Sequence, residues 1–304
     1  MSAGGVTVDL AGLVHPEAEL ELLGSGFGFT EGPVWSTRDR CLLFSDIPGD
    51  TRYRWSTEGG CAVDLEGTNK ANGLAFDVEG RLLSCEHATS MLVRFEGEQR
   101  TVLASHHDGL ELNSPNDVVV RSDGSIWFTD PAYGIDSDYE GHKAESEIGG
   151  CNVYRVDRVT GACCIVGDDF VRPNGLAFSL DESSLYVADT RAAHIRVFSV
   201  TPDGTLVDGR VFAECSEGVF DGIRLDSAGR VWAASGPAVH CFHPDGTRIG
   251  RLGLPEPVSN LVFGGPKRNR LFITASTSVY SLLTTVNGAV PLWQQGVGAG
   301  RSGG

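Results

Sequence analysis

Six residues with oxygen-bearing side chains recur at matching places along this chain: Glu31, Asn72, Asn116, Asn174, Asp221 and Ser259. Two carboxylates, three carboxamides and a hydroxyl are hard donors, suited to Ca²⁺, Mg²⁺ or Mn²⁺. No Cys or His stands at any of the six positions, which ranks Zn²⁺ below Ca²⁺. If the six positions converge, the two carboxylates lose hydration and repel each other unless a cation offsets them. An Asn or Asp ahead of a strand also forms local turns through its own backbone. That reading fits Asn72 and Ser259 best, whereas Glu31 is a poor turn residue.

Each of these residues opens the same local pattern: a short apolar segment, a turn, and a second apolar segment often closed by an acid. Examples are Glu31-Gly-Pro-Val-Trp…Leu-Leu-Phe-Ser-Asp46, Asn72-Gly-Leu-Ala-Phe…Leu-Leu-Ser-Cys-Glu86 and Asn174-Gly-Leu-Ala-Phe…Leu-Tyr-Val-Ala-Asp189. The six starts lie 41, 44, 58, 47 and 38 residues apart, by subtraction of their numbers. A four-stranded propeller blade occupies roughly 40 to 50 residues. The chain is therefore predicted to be all-β, a six-bladed β-propeller with four-stranded antiparallel blades. The first strand of each blade lies nearest the axis, so the six residues would ring a central metal-binding channel. Within the second repeat the strands are predicted at 73–76, 82–86, 91–95 and 101–104. Asp123-Gly124, Asp203-Gly204 and Asp245-Gly246 are hairpin turns. No stretch carries helical periodicity with caps. One propeller domain is assigned to residues 20–290, after an N-terminal segment 1–19 and before a Gly-rich tail 291–304 expected to be disordered. The longest interval, 58 residues from Asn116 to Asn174, contains a polar insertion at 133–150. Its composition fits a lid over the channel or an ordinary surface loop.

Composition narrows the function. With 24 Lys plus Arg against 40 Asp plus Glu the net charge is −16, which repels phosphate backbones and argues against nucleic-acid binding. No run of 18 apolar residues and no signal-peptide pattern appears, so no membrane partner and a cytoplasmic location are expected. Eight cysteines without a C-x-x-C pair are read mostly as buried free thiols. The Gly-x-Ser-x-Gly at 300–304 lacks the strand–turn–helix context of a nucleophile elbow. The sequence gives no oligomeric state.

Several segments resemble the regucalcin/gluconolactonase family, also called the senescence marker protein family. They are Thr30-Glu-Gly-Pro-Val-Trp35, Asn113-Ser-Pro-Asn-Asp117, Trp127-Phe-Thr-Asp-Pro131, Arg172-Pro-Asn-Gly-Leu-Ala-Phe178, Leu185-Tyr-Val-Ala-Asp-Thr190, Phe220-Asp-Gly-Ile-Arg224 and Asn260-Leu-Val-Phe-Gly-Gly265. The likeness spans about residues 20 to 285 and is closest to bacterial gluconolactonases. It implies a six-bladed propeller with one catalytic divalent metal, whose ligands match Glu31, Asn174 and Asp221, with Asn116 a further ligand or a substrate contact. It also implies hydrolysis of a lactone, a sugar lactone such as glucono-1,5-lactone being favoured. Relatives with this architecture also hydrolyse organophosphates, and a non-catalytic calcium-binding propeller is the other alternative. Ala88-Thr-Ser-Met91 and Leu110-Glu111 stand where the bacterial branch carries more basic residues, which puts the particular lactone in question rather than the metal.

On this reading the metal polarises the lactone carbonyl. Asp221 acts as general base, Glu31 and Asn174 hold the ion, and Asn116 orients the carbonyl or completes coordination. His87 and His106-His107 are read as satisfied polar residues more than as acid–base groups. Asp46, Glu86, Asp130 and Asp189, which end the second strands, are read as turn caps ahead of a supporting role at the metal.

Overall fold

The second strand of each repeat is apolar at consecutive positions, as in Leu42-Leu43-Phe44 and Trp127-Phe128. A strand covered on both faces needs this pattern, and stacked blades supply both covers. In the computed structural model, which describes residues 8–10, 12–216 and 218–295, the chain forms six four-stranded antiparallel blades. Blade 1 runs from Thr30–Ser36 to Gly60–Glu66, blade 2 from Ala71–Phe76 to Gln99–Ala104, and blade 3 from Val118–Val120 to Cys163–Phe170. Blade 4 runs from Pro173–Phe178 to Leu206–Glu214 and blade 5 from Phe220–Leu225 to Arg248–Gly253. Blade 6 takes three strands from Val258–Gly264 to Ser278–Leu283 and its outer strand from Glu21–Ser25. A strand from early in the chain thus closes the ring. Each inner strand touches the inner strand of the next blade, and blade 6 returns to blade 1.

The core is divided among the blade interfaces. Six apolar clusters are present, one for each neighbouring pair of blades. Alternation within one strand serves two interfaces: Cys41 and Leu43 face blade 2, while Leu42 and Phe44 face blade 6. Burying a side chain of this kind stabilises by about 1.5–3 kcal/mol.

The second blade follows its sequence reading closely, at Ala71–Phe76, Leu82–Glu86, Met91–Glu96 and Gln99–Ala104. The segment set apart as 1–19 is partly built into the propeller: Val8–Asp9 adds a fifth strand to blade 5, and Leu10, Leu13 and Val14 join the cluster between blades 5 and 6. At the other end, Leu292–Gln295 forms a helical turn within the stretch assigned to a disordered tail. The rest of that tail, 296–304, lies outside the described residues, as does the Gly-x-Ser-x-Gly. Only that turn and Tyr133–Asp136 are helical among the described residues, and neither is long and apolar enough to cross a membrane. Of the eight cysteines, only Cys41, Cys85 and Cys241 are buried; Cys164 is exposed and the others are intermediate. The expectation that most are buried is corrected accordingly. Their strands place many of them on the outer, solvent-facing part of a blade.

Two local features set the channel. Five inner strands carry one extra residue against the second strand where the oxygen-ligand residue sits, between Glu31 and Val34, Ala71 and Leu74, Pro173 and Leu176, Phe220 and Ile223, and Val258 and Asn260. Such a bulge bends the strand and re-aims a side chain. Behind four of the ring residues stands a glycine. A Cβ on Gly32, Gly73 or Gly175 would lie 1.9 Å from the Asn72 carbonyl, 2.4 Å from that of Asn116 and 2.5 Å from that of Asp221. On Gly222 it would lie 2.1 Å from the Asn260 side chain. Four of the six blades therefore rest on the next through a position where only hydrogen fits.

Gly175→Ala is expected to destabilise by on the order of 1–3 kcal/mol through overpacking, lowering the melting temperature by several degrees. Gly150→Ala, whose Cβ would meet nothing closer than 3.7 Å, is the control. Equal melting temperatures in the two variants would refute the close-approach argument.

Candidate functional site

Because the inner strands start at the same level, Glu31, Asn72, Asn116 and Asn174 are all buried at one end of the channel, with Asp221 half-buried beside them. The carboxamides are linked across blades in one direction. Asn72 Nδ2 donates to Asn116 Oδ1 at 2.8 Å, and Asn116 Nδ2 donates to Asn174 Oδ1 at 2.8 Å. Asn174 Nδ2 donates to Thr190 Oγ1 at 3.1 Å, and Thr190 Oγ1 donates to the Phe220 carbonyl at 2.8 Å, next to Asp221. On the other side Asn260 Nδ2 donates to Glu31 Oε2 at 2.9 Å, and the Gly32 amide donates to the same oxygen at 2.6 Å. Ser259 instead turns its hydroxyl to the Thr30 and Thr274 carbonyls. It binds backbone of blade 1 and of the adjacent strand rather than making a local turn, and Asn260 is the residue of blade 6 that reaches the ring. Asn72 does more than make a turn, since it starts the amide chain.

Burial, followed by the neighbouring acids, holds Asp221 well above the usual carboxylate range; Glu31 is the largest of those charges. Burial likewise raises Glu31, although its bonds from Gly32 and Asn260 act against the rise. Asn174 is the side chain that offsets part of the shift at Asp221. Among the described residues no three of His, Cys, Asp and Glu converge on one point. The donor set is two strained carboxylates among amide oxygens. That set fits a hard divalent cation, which would relieve both shifts at once, and it does not fit a thiolate- or imidazole-seeking ion.

Beneath the ring, Asp117 of blade 3 accepts from Arg224 Nη1 of blade 5 at 3.1 Å. Asp117 occupies the place that glycine holds behind four other ring residues. This ion pair crosses the channel and forms a floor. The departure from glycine was the signal that sequence reading passed over.

The insertion at 133–150 lies over the ring. Lys70 Nζ donates to the Asp138 and Tyr139 carbonyls at 3.1 and 2.8 Å. Arg172 pairs with Asp136 at 2.6 Å and stacks on Tyr133 with its Cζ 5.0 Å from the ring centroid. The Tyr133 hydroxyl lies beside the Asn174 and Thr190 side chains and, like Glu140, close enough to Asp221 to feel its charge or add to it. Burial pushes Tyr133 up to about 12 and raises Glu140 as well. Neither residue belongs to the repeat, so no alignment of blades could have found it.

His87 ties the insertion to the ring. Asn72 Nδ2 faces His87 Nε2 at 3.2 Å and the Glu140 carbonyl faces Nδ1 at 3.2 Å. An amide donor on one side and a carbonyl on the other place the proton on Nδ1. Burial lowers the imidazole to about 4, so the ring is neutral at ordinary pH. Both nitrogens are thus engaged, in accord with a satisfied polar residue. His106 and His107 sit in a separate two-residue ladder with Leu110–Glu111. The strand-end acids cap the loops that deliver the ring residues: Asp46 accepts from the Gly28 and Phe29 amides, Asp130 from Asn113 and Ser114, and Asp189 from Val171 and Arg172. Glu86 instead binds Asn69, Thr89 and Arg100.

A raised carboxylate favours the folded state least where it must ionise. Stability of chelator-treated protein is therefore expected to fall as pH rises from the ordinary carboxylate range through neutrality. Glu31→Gln keeps an acceptor for Gly32 and Asn260 but carries no charge. It should melt above the native chain in chelator at about pH 8 and gain less from added Ca²⁺. Thermal melts across pH, with and without Ca²⁺, check this, and a native chain more stable than Glu31→Gln in chelator at the alkaline end would contradict it.

Comparison with known proteins agrees with this architecture. Residues 29–277 match the model of the SMP-30/Gluconolactonase/LRE-like region. The chain is 30% identical to the gluconolactonase of Zymomonas mobilis over 92% of its own length and 85% of that protein. It is 28% identical to a pentonolactonase of Haloferax volcanii, covering 81% of each. The solved structure of a Xanthomonas campestris gluconolactonase superposes with a TM-score of 0.86 at 34% identity, over 93% of this chain and 98% of that one. With the repeat, the channel and the family match in accord, the chain belongs to the SMP-30/gluconolactonase/LRE-like family.

Proposed function

We propose that this chain, a hydrolase of lactone bonds, opens a sugar lactone such as glucono-1,5-lactone to the aldonic acid. One divalent cation, Ca²⁺ ahead of Mn²⁺, Mg²⁺ or Zn²⁺, would be held by Glu31, Asn174 and Asp221, with Asn116 as further ligand or carbonyl contact. The observation that carries the reading is the pair of raised carboxylates, buried Glu31 and half-buried Asp221, amid amide oxygens under the insertion at the channel mouth. Names of relatives supply the substrate class: gluconolactonase for the Zymomonas mobilis and Xanthomonas campestris proteins, pentonolactonase for that of Haloferax volcanii.

When bound, a divalent cation supplies Lewis-acid polarisation at the channel mouth. The remaining roles belong to side chains. Asp221 is the carboxylate with the fewest donors and the one open to the channel, so it is the acceptor for the proton of the attacking water. That proton must then reach the ring oxygen as the C–O bond breaks, leaving a hydroxyl and a carboxylic acid, which releases the second proton of the water to solvent and becomes the carboxylate. Asn116 and Asn174, fixed in the amide chain, present oxygens in set directions without adding charge. Tyr133 and Glu140 close the mouth and exclude water from one side of the substrate. His87, Lys70 and Arg172 keep them there.

Chelator-stripped protein is expected to hydrolyse glucono-1,5-lactone no faster than the spontaneous rate and to regain turnover with added Ca²⁺ or another divalent ion. Asp221→Asn should lower kcat by about 10²–10⁴-fold, the range of general base removal. A pH-indicator assay above the spontaneous background reads both. Full activity in chelator would remove the cation from the reading, and a fully active Asp221→Asn would remove the assigned base.

A further inference from the structure

The direction of hydrogen bonding in the row of ring amides is settled at two ends. At the Thr190 end, the hydroxyl gives its proton to the Phe220 carbonyl at 2.8 Å, so towards Asn174 it accepts, from Nδ2 at 3.1 Å. The Asn174 oxygen then accepts from Asn116 Nδ2, and the Asn116 oxygen from Asn72 Nδ2, each at 2.8 Å. Each of these oxygens keeps a second lone pair for a further partner. Turning one amide over would set like groups face to face in a buried place, where an unmet donor or acceptor is costly.

His87 stands at the other end. It follows the strand Leu82–Glu86 as Thr190 follows Ser184–Asp189, so blades 2 and 4 use the same place to close the two ends of the row. Its imidazole is buried, with Nε2 3.2 Å from Asn72 Nδ2 and Nδ1 3.2 Å from the Glu140 carbonyl. A carbonyl offers only lone pairs, so Nδ1 carries the proton and Nε2 accepts. The opposite tautomer could donate from Nε2 to the Asn116 side chain, which also lies beside His87, but it would set a bare Nδ1 against the carbonyl. The insertion that supplies Glu140 therefore decides the tautomer. It is seated closely: the Gly134 amide donates to Ser114 Oγ at 2.9 Å, and a Cβ on Gly134 would lie 2.7 Å from His87 Cβ. Lys70 Nζ holds the same insertion, but its bonds go to the Asp138 and Tyr139 carbonyls rather than to the row.

We infer that His87 is a positioning residue for the ring: the Glu140 carbonyl selects its Nδ1–H tautomer, and the bare Nε2 holds the Asn72 amide in the one orientation that keeps the oxygens of Asn116 and Asn174 aligned. The bond made by one ring nitrogen sets what the other can do, and supporting bonds of this kind orient the side chains that hold an ion. Seating of the insertion and alignment of the amides are then one event. What the aligned oxygens bind rests on the functional reading above; the alignment is a property of the metal-free chain.

Nitrogen NMR of the full chain, labelled at histidine and asparagine and kept in chelator, reads the arrangement directly. His87, identified by the signals lost in His87→Gln, is expected with Nδ1 protonated and Nε2 bare. The side-chain amide signals of Asn72 and Asn116 should shift in His87→Leu and return towards their native places in His87→Gln, whose amide oxygen can stand where Nε2 stood. Calorimetric titration of Ca²⁺ without substrate gives the second readout. His87→Leu should weaken Ca²⁺ by about 10–100-fold, the usual effect of removing a partner that orients a ligand. His87→Gln and Lys70→Met, which loosens the insertion alone, should stay within about threefold of the native chain. A native chain that binds no Ca²⁺ removes the cation from the functional reading, and the NMR signals then decide this inference by themselves. An Nε2–H tautomer in the native chain overturns it, and that measurement stands even if His87→Leu fails to fold. Unchanged Asn72 and Asn116 signals in a folded His87→Leu overturn it as well. So does a loss of Ca²⁺ affinity in His87→Gln or Lys70→Met as large as in His87→Leu.

Discussion

Neighbouring inner strands approach one another so closely at the upper end of the channel that a methyl group has no room between them. Gly32, Gly73, Gly175 and Gly222 are the points of contact, each against the ring residue of the next blade or its neighbour. The same contact fixes the diameter of the ring, because it sets how near the six strand starts come to the axis. Hydroxyls also pin carbonyls at the strand starts: Ser45 Oγ donates to the Asn72 carbonyl, Thr129 Oγ1 to that of Asn174 and Thr190 Oγ1 to that of Phe220, each at 2.8 Å. The side chains of the ring can therefore be short. Asn and Asp reach their partners from a backbone that is already in place, at little cost in rotamer entropy.

Bulges complete this device. A regular strand would point alternate residues into the neighbouring blade, and the ring residue would be lost to an interface. One extra residue in each of five inner strands turns it to the axis while the following residues, such as Val34 and Leu74, return to the apolar cluster between blades 1 and 2. Stability and site geometry thus share the same few positions. The strand-end acids act one step earlier, by capping the loops that enter the ring, and their caps use backbone amides that would otherwise be buried without partners.

The architecture was legible because it repeats. Six copies with apolar second strands and an oxygen ligand at each start point to one fold, and Glu31, Asn116, Asn174 and Asp221 lie together as the repeat implies. What escaped was whatever breaks the repeat. Tyr133 and Glu140 come from an insertion with no counterpart in other blades; its unusual length was the only mark it left. Asn260 stands one residue beyond the aligned position, in the place that glycine holds in four other blades, and reaches Glu31 from there. Asp117 replaces a glycine, and its partner Arg224 lies two blades away, a pairing that periodicity does not encode. The ends of the chain follow a related rule. Val8–Asp9 and Leu292–Gln295 have weak local patterns, and the blades they cover give them their order.

Charge bookkeeping explains why the ring contains amides rather than more carboxylates. Four acids act on one another through their charges around the ring: Glu31 and Asp221 in it, Asp117 beneath and Glu140 above. Arg224 neutralises Asp117 from below, and burial raises Glu140 towards its neutral form from above. Glu31 and Asp221 are left as the pair whose mutual repulsion has no protein counter-charge of equal size. Two such charges match one divalent ion. A third carboxylate at Asn116 or Asn174 would add repulsion that a single ion does not cancel, and the ordered chain of amide hydrogen bonds would be broken at that link. Amides supply the remaining oxygens with direction and without charge. The insertion is placed to the same end. It contributes a phenol and a carbonyl-anchored acid at the mouth, both poor at carrying charge where they sit, so the field at the ring is governed by Glu31 and Asp221.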